Sequence, residues 1–175
     1  MFRIRYWLFI VVMCIAGTSV TAQNTASLTD SQIAHILYTA WQVDIAAANL
    51  ALKNSSNNDV KAFANTILRD YTTANNTALS SLAKLNITLQ DNAISQSLAG
   101  AGAEHAQDLS KLSGGAFDKA YAQNERAYHV FVTGVLEVTL IPSIKSSQVK
   151  SLLQSGLALF EQHNKDAAQL VSQLK

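Results

Sequence analysis

The chain has 175 residues, a formal net charge of +1 and hydrophobic side chains at 49% of its positions. This length predicts one domain that can bury a substantial core. The single cysteine excludes an internal disulfide, and the near-neutral charge excludes the basic surface that nucleic-acid binding needs.

The N-terminal segment, residues 1–22, has the pattern of a secretory signal peptide. Arg3 and Arg5 precede an apolar run, and small residues lead up to Ala22. The run is short for a membrane span, and no second run follows it. We therefore predict cleavage after Ala22, a periplasmic protein and no transmembrane segment in the mature chain. An uncleaved N-terminal anchor and a lipoprotein acylated at Cys14 are the alternatives.

Cleavage at this position changes the charge and the chemistry of the chain. It removes two of the 13 Lys and Arg residues and none of the 12 Asp and Glu residues, which leaves a net charge of −1. It also removes the only cysteine, so thiolate chemistry and disulfides are excluded for the mature protein. The folded domain must then be held together by its core alone.

The remainder of the chain has the composition of an all-helical domain. One proline and seven glycines leave few helix breakers, and no alternating strand pattern occurs. We predict a disordered leader at 23–29 and a helical-bundle domain at 30–175. The caps and the 3.6-residue periodicity predict long helices at about 30–54, 58–85, 116–141 and 148–174.

The connections between these helices predict their directions. The first pair and the last pair are joined by short turns, so each pair forms an antiparallel hairpin. The middle connection, residues 86–115, is long and contains a short helix at about 93–112. It can cross the length of the bundle, so the second and third long helices run parallel. We predict a four-helix bundle with one long crossover, which is the ferritin-like arrangement.

Each long helix carries a titratable residue on or beside its predicted inner face, where apolar residues recur at spacings of three and four. Counting from the turns, Glu125 and His163 each lie about 19 residues from the second corner and are therefore nearly level. Polar groups at similar heights inside a bundle are what a metal site requires. The candidate metal ligands are Asp44, Tyr71, Glu125, His129 and His163.

Two interpretations of these residues remain open. One is a site for iron, zinc or manganese; the other is a layer of hydrogen-bonded polar groups without a metal. The usual di-iron pattern, with Glu-x-x-His on two helices, is absent because the third long helix has Glu-x-x-x-His, at Glu125 and His129, and the second has no histidine. We therefore favour the polar layer and expect Glu125 and Asp44 each to have a hydrogen-bond donor, since a buried carboxylate without a partner is costly.

Several segments resemble those of an exported bacterial family known as domain of unknown function 4142. They are QVDIAAANLAL, DVKAFANTILRDYT, LSGGAFDKAYAQNERAYH, TLIPSIKS and LFEQHNKDA. The resemblance covers about residues 30–170 and implies a ferritin-like fold and an exported protein, with no settled activity. It also implies histidines at His129 and His163 and an acid at Asp44. Family members typically have Asp-His on the second helix, where this chain has Asp70-Tyr71.

The sequence contains no catalytic motif: no Ser-His-Asp context, phosphate loop or CxxC is present. We therefore lean towards a protein that is not an enzyme. The main hypothesis is an exported binding or envelope-associated stress protein, with an unknown protein or envelope component as its partner. The alternative is a metal-binding ferritin-like protein with a reduced site in the bundle core.

Overall fold

The computed structural model describes residues 27–174, and within that range it contains helices and no strand. The predicted signal peptide and the leader as far as residue 26 lie outside the described residues. None of the described helices is both long enough and apolar enough to cross a membrane. The elements are α1 (Asp30–Asn54), α2 (Asn58–Lys84), α3 (Ala93–Ser110), α4 (Gly114–Val135), a π-helical turn (Leu136–Leu140), α5 (Ile141–Ser143) and α6 (Ser147–Gln173).

Side-chain caps fix where the helices begin. Thr29 accepts a hydrogen bond from the backbone N–H of Gln32, whose side chain accepts one from the backbone N–H of Thr29. Asn57, Asn92 and Ser146 cap α2, α3 and α6 in the same way, through side-chain oxygens. Each cap satisfies backbone donors that the first helical turn leaves without a partner. These local signals explain why the predicted helix starts lie within two residues of the observed ones.

Three contacts to α1 establish the directions of the other helices. The side-chain amide of Asn92 donates to the carbonyl of Gln32, so α3 begins beside the start of α1. The hydroxyl of Ser55 donates to Asp118, so α4 begins beside the end of α1. The backbone N–H of Ser146 donates to Asp30 at 2.7 Å, so α6 also begins beside the start of α1.

It follows that α1 and α6 run in one direction and that α2 and α4 run in the other. The segment between α2 and α4 crosses the length of the bundle, and α3 within it packs along α1. The all-helical fold class and the single long crossover with its short helix are confirmed. The relationship to ferritin-like proteins stays a prediction.

The core lies between the four long helices and follows the predicted stripes on α1, α2 and α6 closely. The spacing of three and four predicts core stripes on α1 and α6, and every position of both stripes is buried: Ile33, Leu37, Ala40, Asp44, Ala47 and Ala51 on α1, and Val149, Leu153, Gly156, Phe160, His163, Ala167 and Leu170 on α6. The large side chains Phe117, Leu153 and Phe160 are fully enclosed, and Phe131 is only half-buried. The core is therefore continuous along the bundle.

On α4 the predicted main stripe is correct only in part; its members were Phe117, Tyr121, Asn124, Tyr128, Phe131, Val135 and Val138. Phe117, Tyr121 and Tyr128 are buried, whereas Val138 is 78% exposed. The buried positions run through Glu125 and His129 and then continue along the chain as Val132, Leu136 and Leu140. The positions of the predicted stripe repeated every 3.5 residues on average. On a straight α-helix such a stripe rotates around the helix axis by about 20° per heptad, so its last positions no longer face the core.

The π-helical turn adds to this drift. Its hydrogen bonds span five residues instead of four, so it uses an additional residue per turn and rotates the chain beyond it. Leu136 and Leu140 at its two ends are buried, whereas the residues between them are exposed. The end of the third long helix therefore presents a different face to the core from the one that an unbroken α-helix predicts.

Candidate metal centre

Three helices bring four of the predicted ligands together in the middle of the bundle. Asp44 comes from α1, Tyr71 from α2, and Glu125 and His129 from α4. All four side chains are at most 1% exposed. We call these four residues the core polar cluster. Glu125 and His129, one turn apart on α4, present their side chains to the same interior point because residues i and i+4 share a helix face.

Hydrogen bonds fix the orientation and the tautomer of His129. Its Nδ1 lies 2.7 Å from the backbone carbonyl oxygen of Glu125, and its Nε2 lies 2.9 Å from the hydroxyl oxygen of Tyr71. A carbonyl oxygen can only accept, so Nδ1 carries the proton in the neutral ring. Nε2 therefore presents its lone pair to the centre of the cluster and accepts the hydrogen bond from Tyr71.

The two carboxyl groups converge on the same point as this nitrogen. One oxygen of Asp44, one oxygen of Glu125 and one nitrogen of His129 all lie within 4.8 Å of one another. The distance from Nε2 of His129 to Oδ2 of Asp44 is 3.6 Å. Neither oxygen of Glu125 has a hydrogen-bond partner, and Oδ2 of Asp44 has none either.

The expectation that a histidine or tyrosine donates to Glu125 is therefore wrong: the carboxyl group of Asp44 lies beside it and becomes a donor only when it is protonated. The group that faces it is another carboxyl, and two ionised carboxylates can only accept. The reason is the composition of the stripe: α1 and α4 supply acids at this level, while the phenol of Tyr71 is directed at His129. The buried negative charge has to be balanced by protons or by a cation.

The pKa values follow from this environment. Burial, and then the charge of Glu125, raise the pKa of Asp44 well above its ordinary value. Burial raises the pKa of Glu125 to about 8. Burial also lowers the pKa of His129 to about 3, against the smaller opposing effect of its hydrogen bond to the Glu125 carbonyl. Without a metal, the cluster holds a neutral imidazole and at least one protonated carboxyl group near neutral pH.

The fifth predicted ligand, His163, lies beside the cluster and is not oriented as its other members are. Its Nε2 is 3.2 Å from Oδ2 of Asp70 on α2. Its ring stacks on Tyr71 with the centroids 4.9 Å apart, and on His129 with the centroids 5.8 Å apart. His163 therefore supports the rings of the cluster through their faces, and it does not belong to the group of converging ligand atoms.

Asp70 is a residue that the sequence analysis did not assign to the site. Its carboxyl side chain is one-quarter exposed and connects His163 to the surface residue Arg69, whose Nε lies 2.7 Å from Oδ1 of Asp70. The sequence contains a signal of this role, because Asp70 directly precedes Tyr71 on α2. Adjacent residues on a helix point about 100° apart, so Asp70 faces α6 when Tyr71 faces the interior.

One comparison with known proteins identifies the family of the chain. The family model described as domain of unknown function (DUF4142) matches residues 16–170, a range that contains every residue of the core polar cluster. The chain belongs to the DUF4142 family. This confirms the resemblance drawn from the sequence segments. No curated protein and no solved structure matches the chain.

In this DUF4142 protein the core polar cluster is enclosed by aromatic side chains. Trp41 stacks on Tyr71 with the ring centroids 6.3 Å apart, and Phe160 lies 5.1 Å from Tyr71 and 5.6 Å from His129. Tyr128, also on α4, donates its hydroxyl to the carbonyl of Ala40 at 2.9 Å. These rings exclude water, which strengthens every electrostatic interaction inside the cluster.

The cluster of this DUF4142 protein has the donor set of a mononuclear metal site. It offers two carboxyl groups, one imidazole nitrogen with a fixed lone pair, and one phenol. Nδ1 of His129 donates to a backbone carbonyl oxygen, and metal-binding histidines are usually oriented by a hydrogen bond of this kind from the nitrogen that does not bind the metal. The alternative chemistry of the same atoms is proton storage, because two buried carboxyl groups side by side cannot both ionise easily.

Proposed function

We propose that this DUF4142 protein binds one metal ion in its bundle core through Asp44, Glu125 and His129, with Tyr71 as a fourth ligand. The observation that carries this proposal is the convergence of three potential ligand atoms within 4.8 Å, among them carboxyl oxygens that have no hydrogen-bond donor. Buried polar atoms in folded proteins almost always have a partner. A cation at this point gives all of them one.

The charge of the cluster supports the same proposal. Among the described residues, no lysine or arginine pairs with Asp44 or Glu125. Protons can neutralise these carboxyl groups. In that case the lone pair of His129 Nε2 has only one partner, the hydroxyl group of Tyr71. A metal ion accepts electron pairs from all four side chains at once and displaces the protons that burial otherwise retains.

The donor set favours iron or manganese, with zinc as a further candidate. Carboxylate and imidazole ligands suit all three ions. Tyr71 distinguishes among them, because a phenolate adds a third negative charge to those of Asp44 and Glu125 and the total then balances a trivalent ion. With a divalent ion the phenol keeps its proton and the two carboxylates balance the charge. We therefore propose ferric iron as the preferred ion.

The geometry supports one ion rather than two. His163 is engaged with Asp70 on the outer side of Tyr71, and α2 offers a phenol where the sequence resemblance implies a histidine. The site is in this sense reduced compared with a di-iron carboxylate bundle, which uses histidines on two helices. We place this function in the periplasm, on the strength of the signal-peptide pattern in residues 1–22.

Metal titration of protein purified without an affinity tag tests the proposal. After treatment with a chelator, the protein is titrated with Fe(III) as a soluble chelate, Fe(II), Mn(II) and Zn(II), and elemental analysis gives the bound ion per chain. We expect one tightly bound ion and a metal-dependent rise in the melting temperature. With Fe(III), a phenolate ligand adds a visible charge-transfer absorption that Tyr71→Phe removes.

Two histidine variants provide a matched comparison. His129→Gln removes a proposed ligand, whereas His163→Gln changes a buried histidine on the next helix that the geometry leaves outside the ligand set. We expect loss of the ion in the first variant and its retention in the second. Equal loss in both variants would contradict the proposed ligand set, because it would make His163 as necessary as His129. No stoichiometric binding by the wild-type chain would leave the hydrogen-bonded polar layer as the correct interpretation.

A further inference from the structure

Tyr121 on α4 has a buried hydroxyl group without a hydrogen-bond partner. Its side chain is fully enclosed, and no group lies within hydrogen-bond distance of the hydroxyl oxygen. Two aromatic neighbours hold the ring: it stacks on Phe117 with the centroids 6.1 Å apart and packs at a steep angle against Phe63 at 6.2 Å. A phenol can donate one hydrogen bond, and a buried donor without an acceptor is costly. The metal-free chain therefore contains an unused donor at this point.

Glu125, one helical turn after Tyr121, has the complementary deficit. Neither of its carboxyl oxygens has a donor. Residues four apart share a helix face, with Cβ atoms about 5–6 Å apart, and the long side chains of glutamate and tyrosine can span this distance. Burial, and then the charges of Glu125 and Asp44, raise the pKa of Tyr121. The hydroxyl group of Tyr121 therefore lies within the field of two of the proposed ligands.

The other unpaired hydroxyl, amide and indole groups of the described core lie on the opposite side of the core polar cluster. Each is one helical turn from a residue of the cluster, towards the end of the bundle at which α2 and α4 terminate and α1 begins. These groups belong to Trp41, Asn75 and Thr133. Glu125 lies one turn from His129 towards the other end, and Tyr121 lies one turn further. Among the described residues, Tyr121 is thus the unpaired donor on the Glu125 side.

Asn124, directly before Glu125, is the side chain that could compete for this role. Burial raises the pKa of Glu125, and Asp44 and then Asn124 act against it. However, the side chain of Asn124 is only half-buried, and no hydrogen bond joins it to either carboxyl oxygen. A half-buried amide can bind water instead, whereas the enclosed hydroxyl of Tyr121 cannot. The unmet need for a partner is therefore greater at Tyr121.

We propose that Tyr121 is a positioning residue of the metal site: when the ion binds, the hydroxyl group of Tyr121 donates to the oxygen of Glu125 that does not bind the ion. This inference rests on the proposed function. A metal-bound carboxylate can only accept hydrogen bonds, and ligating carboxylates are usually held by a donor of this kind. The bond fixes which oxygen of Glu125 is presented to the ion. Because the hydroxyl is unpaired in the metal-free chain, it contributes only when the ion is bound.

Tyr128 provides a matched control on the same helix. It is also a buried tyrosine, and burial and the charges of Asp44 and Glu125 raise its pKa as well. Its hydroxyl group already donates to the carbonyl of Ala40 at 2.9 Å. Tyr121→Phe and Tyr128→Phe therefore each remove one buried hydroxyl group, and only the second has a partner in the metal-free chain.

Competition against a chelator measures the affinity of each variant for Fe(III) and Zn(II), and urea denaturation gives the unfolding midpoint of the metal-free protein. We expect Tyr121→Phe to bind both ions about 10- to 100-fold more weakly, the usual effect of removing a hydrogen bond that holds a metal ligand. Its metal-free midpoint should not fall, because no hydrogen bond is lost. Tyr128→Phe should give the reverse result, a lower midpoint with an unchanged affinity.

Three results overturn the inference alone. The first is an ion that Tyr121→Phe binds as tightly as the wild type does. The second is a metal-free midpoint that falls as far in Tyr121→Phe as in Tyr128→Phe, because the hydroxyl would then be paired already. The third is a larger loss of affinity in Asn124→Ala than in Tyr121→Phe, which assigns the role to the amide. A wild-type chain that binds neither ion instead overturns the proposed function, and this inference with it.

Discussion

Tyr71 on α2 donates its phenolic hydrogen to Nε2 of His129 on α4 over 2.9 Å, while Nδ1 of the same ring donates to the carbonyl of Glu125. The two parallel helices are thus joined by a chain of hydrogen bonds at the level of two buried acids. This relationship determines which nitrogen of His129 faces the carboxyl groups of Asp44 and Glu125. It also makes Tyr71 central to the stability of the metal-free cluster and, in the proposed metal site, to the choice of ion.

Replacement of Tyr71 by Phe tests the structural half of this relationship. The variant keeps the stacked ring but leaves Nε2 of His129 buried without a donor. We expect the metal-free protein to lose about 1–3 kcal/mol of unfolding free energy, the usual cost of an unsatisfied buried polar atom. Urea denaturation at pH 7 measures the loss. Tyr38→Phe, which changes a partly exposed tyrosine on α1, is the control and should have little effect.

Replacement of Tyr71 by His tests the choice of metal. The resemblance to other family members implies a histidine at this position, and an imidazole is a stronger ligand for zinc than a neutral phenol. We expect the variant to bind Zn(II) more tightly than the wild type and to lose the charge-transfer absorption with Fe(III). Calorimetric titration with both ions measures the change. An unaltered preference for Fe(III) would show that Tyr71 is not a ligand.

The stability of the metal-free protein depends on pH in a way that the buried groups specify. The pKa of Glu125 is raised from 4.5 to about 8, so between these values the folded state holds a proton that the unfolded chain releases. Stability therefore falls as the pH rises through this range. The pKa of His129 is lowered from 6.5 to about 3, which makes stability rise with pH up to 6.5. The two effects oppose each other below pH 6.5. Above that pH only the protons retained by the buried carboxyl groups of Glu125 and Asp44 change the stability.

We therefore expect the unfolding free energy to decrease between pH 6.5 and pH 8 by an amount of order 1–2 kcal/mol, since one proton contributes about 1.4 kcal/mol per pH unit. Urea denaturation across this range measures the slope. Glu125→Gln should make the slope shallower without abolishing it, because burial also raises the pKa of Asp44. A stability that rises over this interval would exclude a retained carboxyl proton.

The aromatic enclosure of the cluster makes Phe160 a sensitive core position. Its side chain is fully buried and contacts the rings of both Tyr71 and His129. We expect Phe160→Ala to destabilise the protein by about 3–5 kcal/mol, through lost burial and the cavity that remains. Thermal or urea unfolding measures the loss. Phe131→Ala is the matched control on α4, and its half-buried ring should cost clearly less.

Because of the π-helical turn between α4 and α5, we expect substitutions at Leu136 and at Val138 to differ strongly in their effect on stability. Leu136 is 1% exposed and Val138 is 78% exposed. We expect Leu136→Ala to cost about 2–5 kcal/mol and Val138→Thr to change the stability by less than about 0.5 kcal/mol. An unbroken stripe through Val138 would give comparable losses for both changes. Chemical denaturation of the two variants decides between these registers.

The fold of this protein was largely predictable because its signals are local. Caps such as Thr29 and Asn57 mark helix starts, and the spacing of apolar residues marks the inner faces of α1, α2 and α6. The segment between α2 and α4 is long enough to cross the length of the bundle, which predicted that these two helices run parallel. The stripe on α4 was the exception, because small departures from 3.6 residues per turn accumulate over a long helix and the π-helical turn carried no recognised sequence signal.

Helix periodicity by itself also determined which polar side chains reach the core. It placed Asp44, Tyr71, Glu125, His129 and His163 at similar heights, since the position of a residue along a helix and around it follows from counting. Only the tertiary structure decided how those side chains meet. It turned His163 towards Asp70, aimed Tyr71 at Nε2 of His129 and left Glu125 facing another acid. The physical reason is that rotamers and donor directions inside a core are selected by the packing of neighbouring helices, which no local spacing encodes.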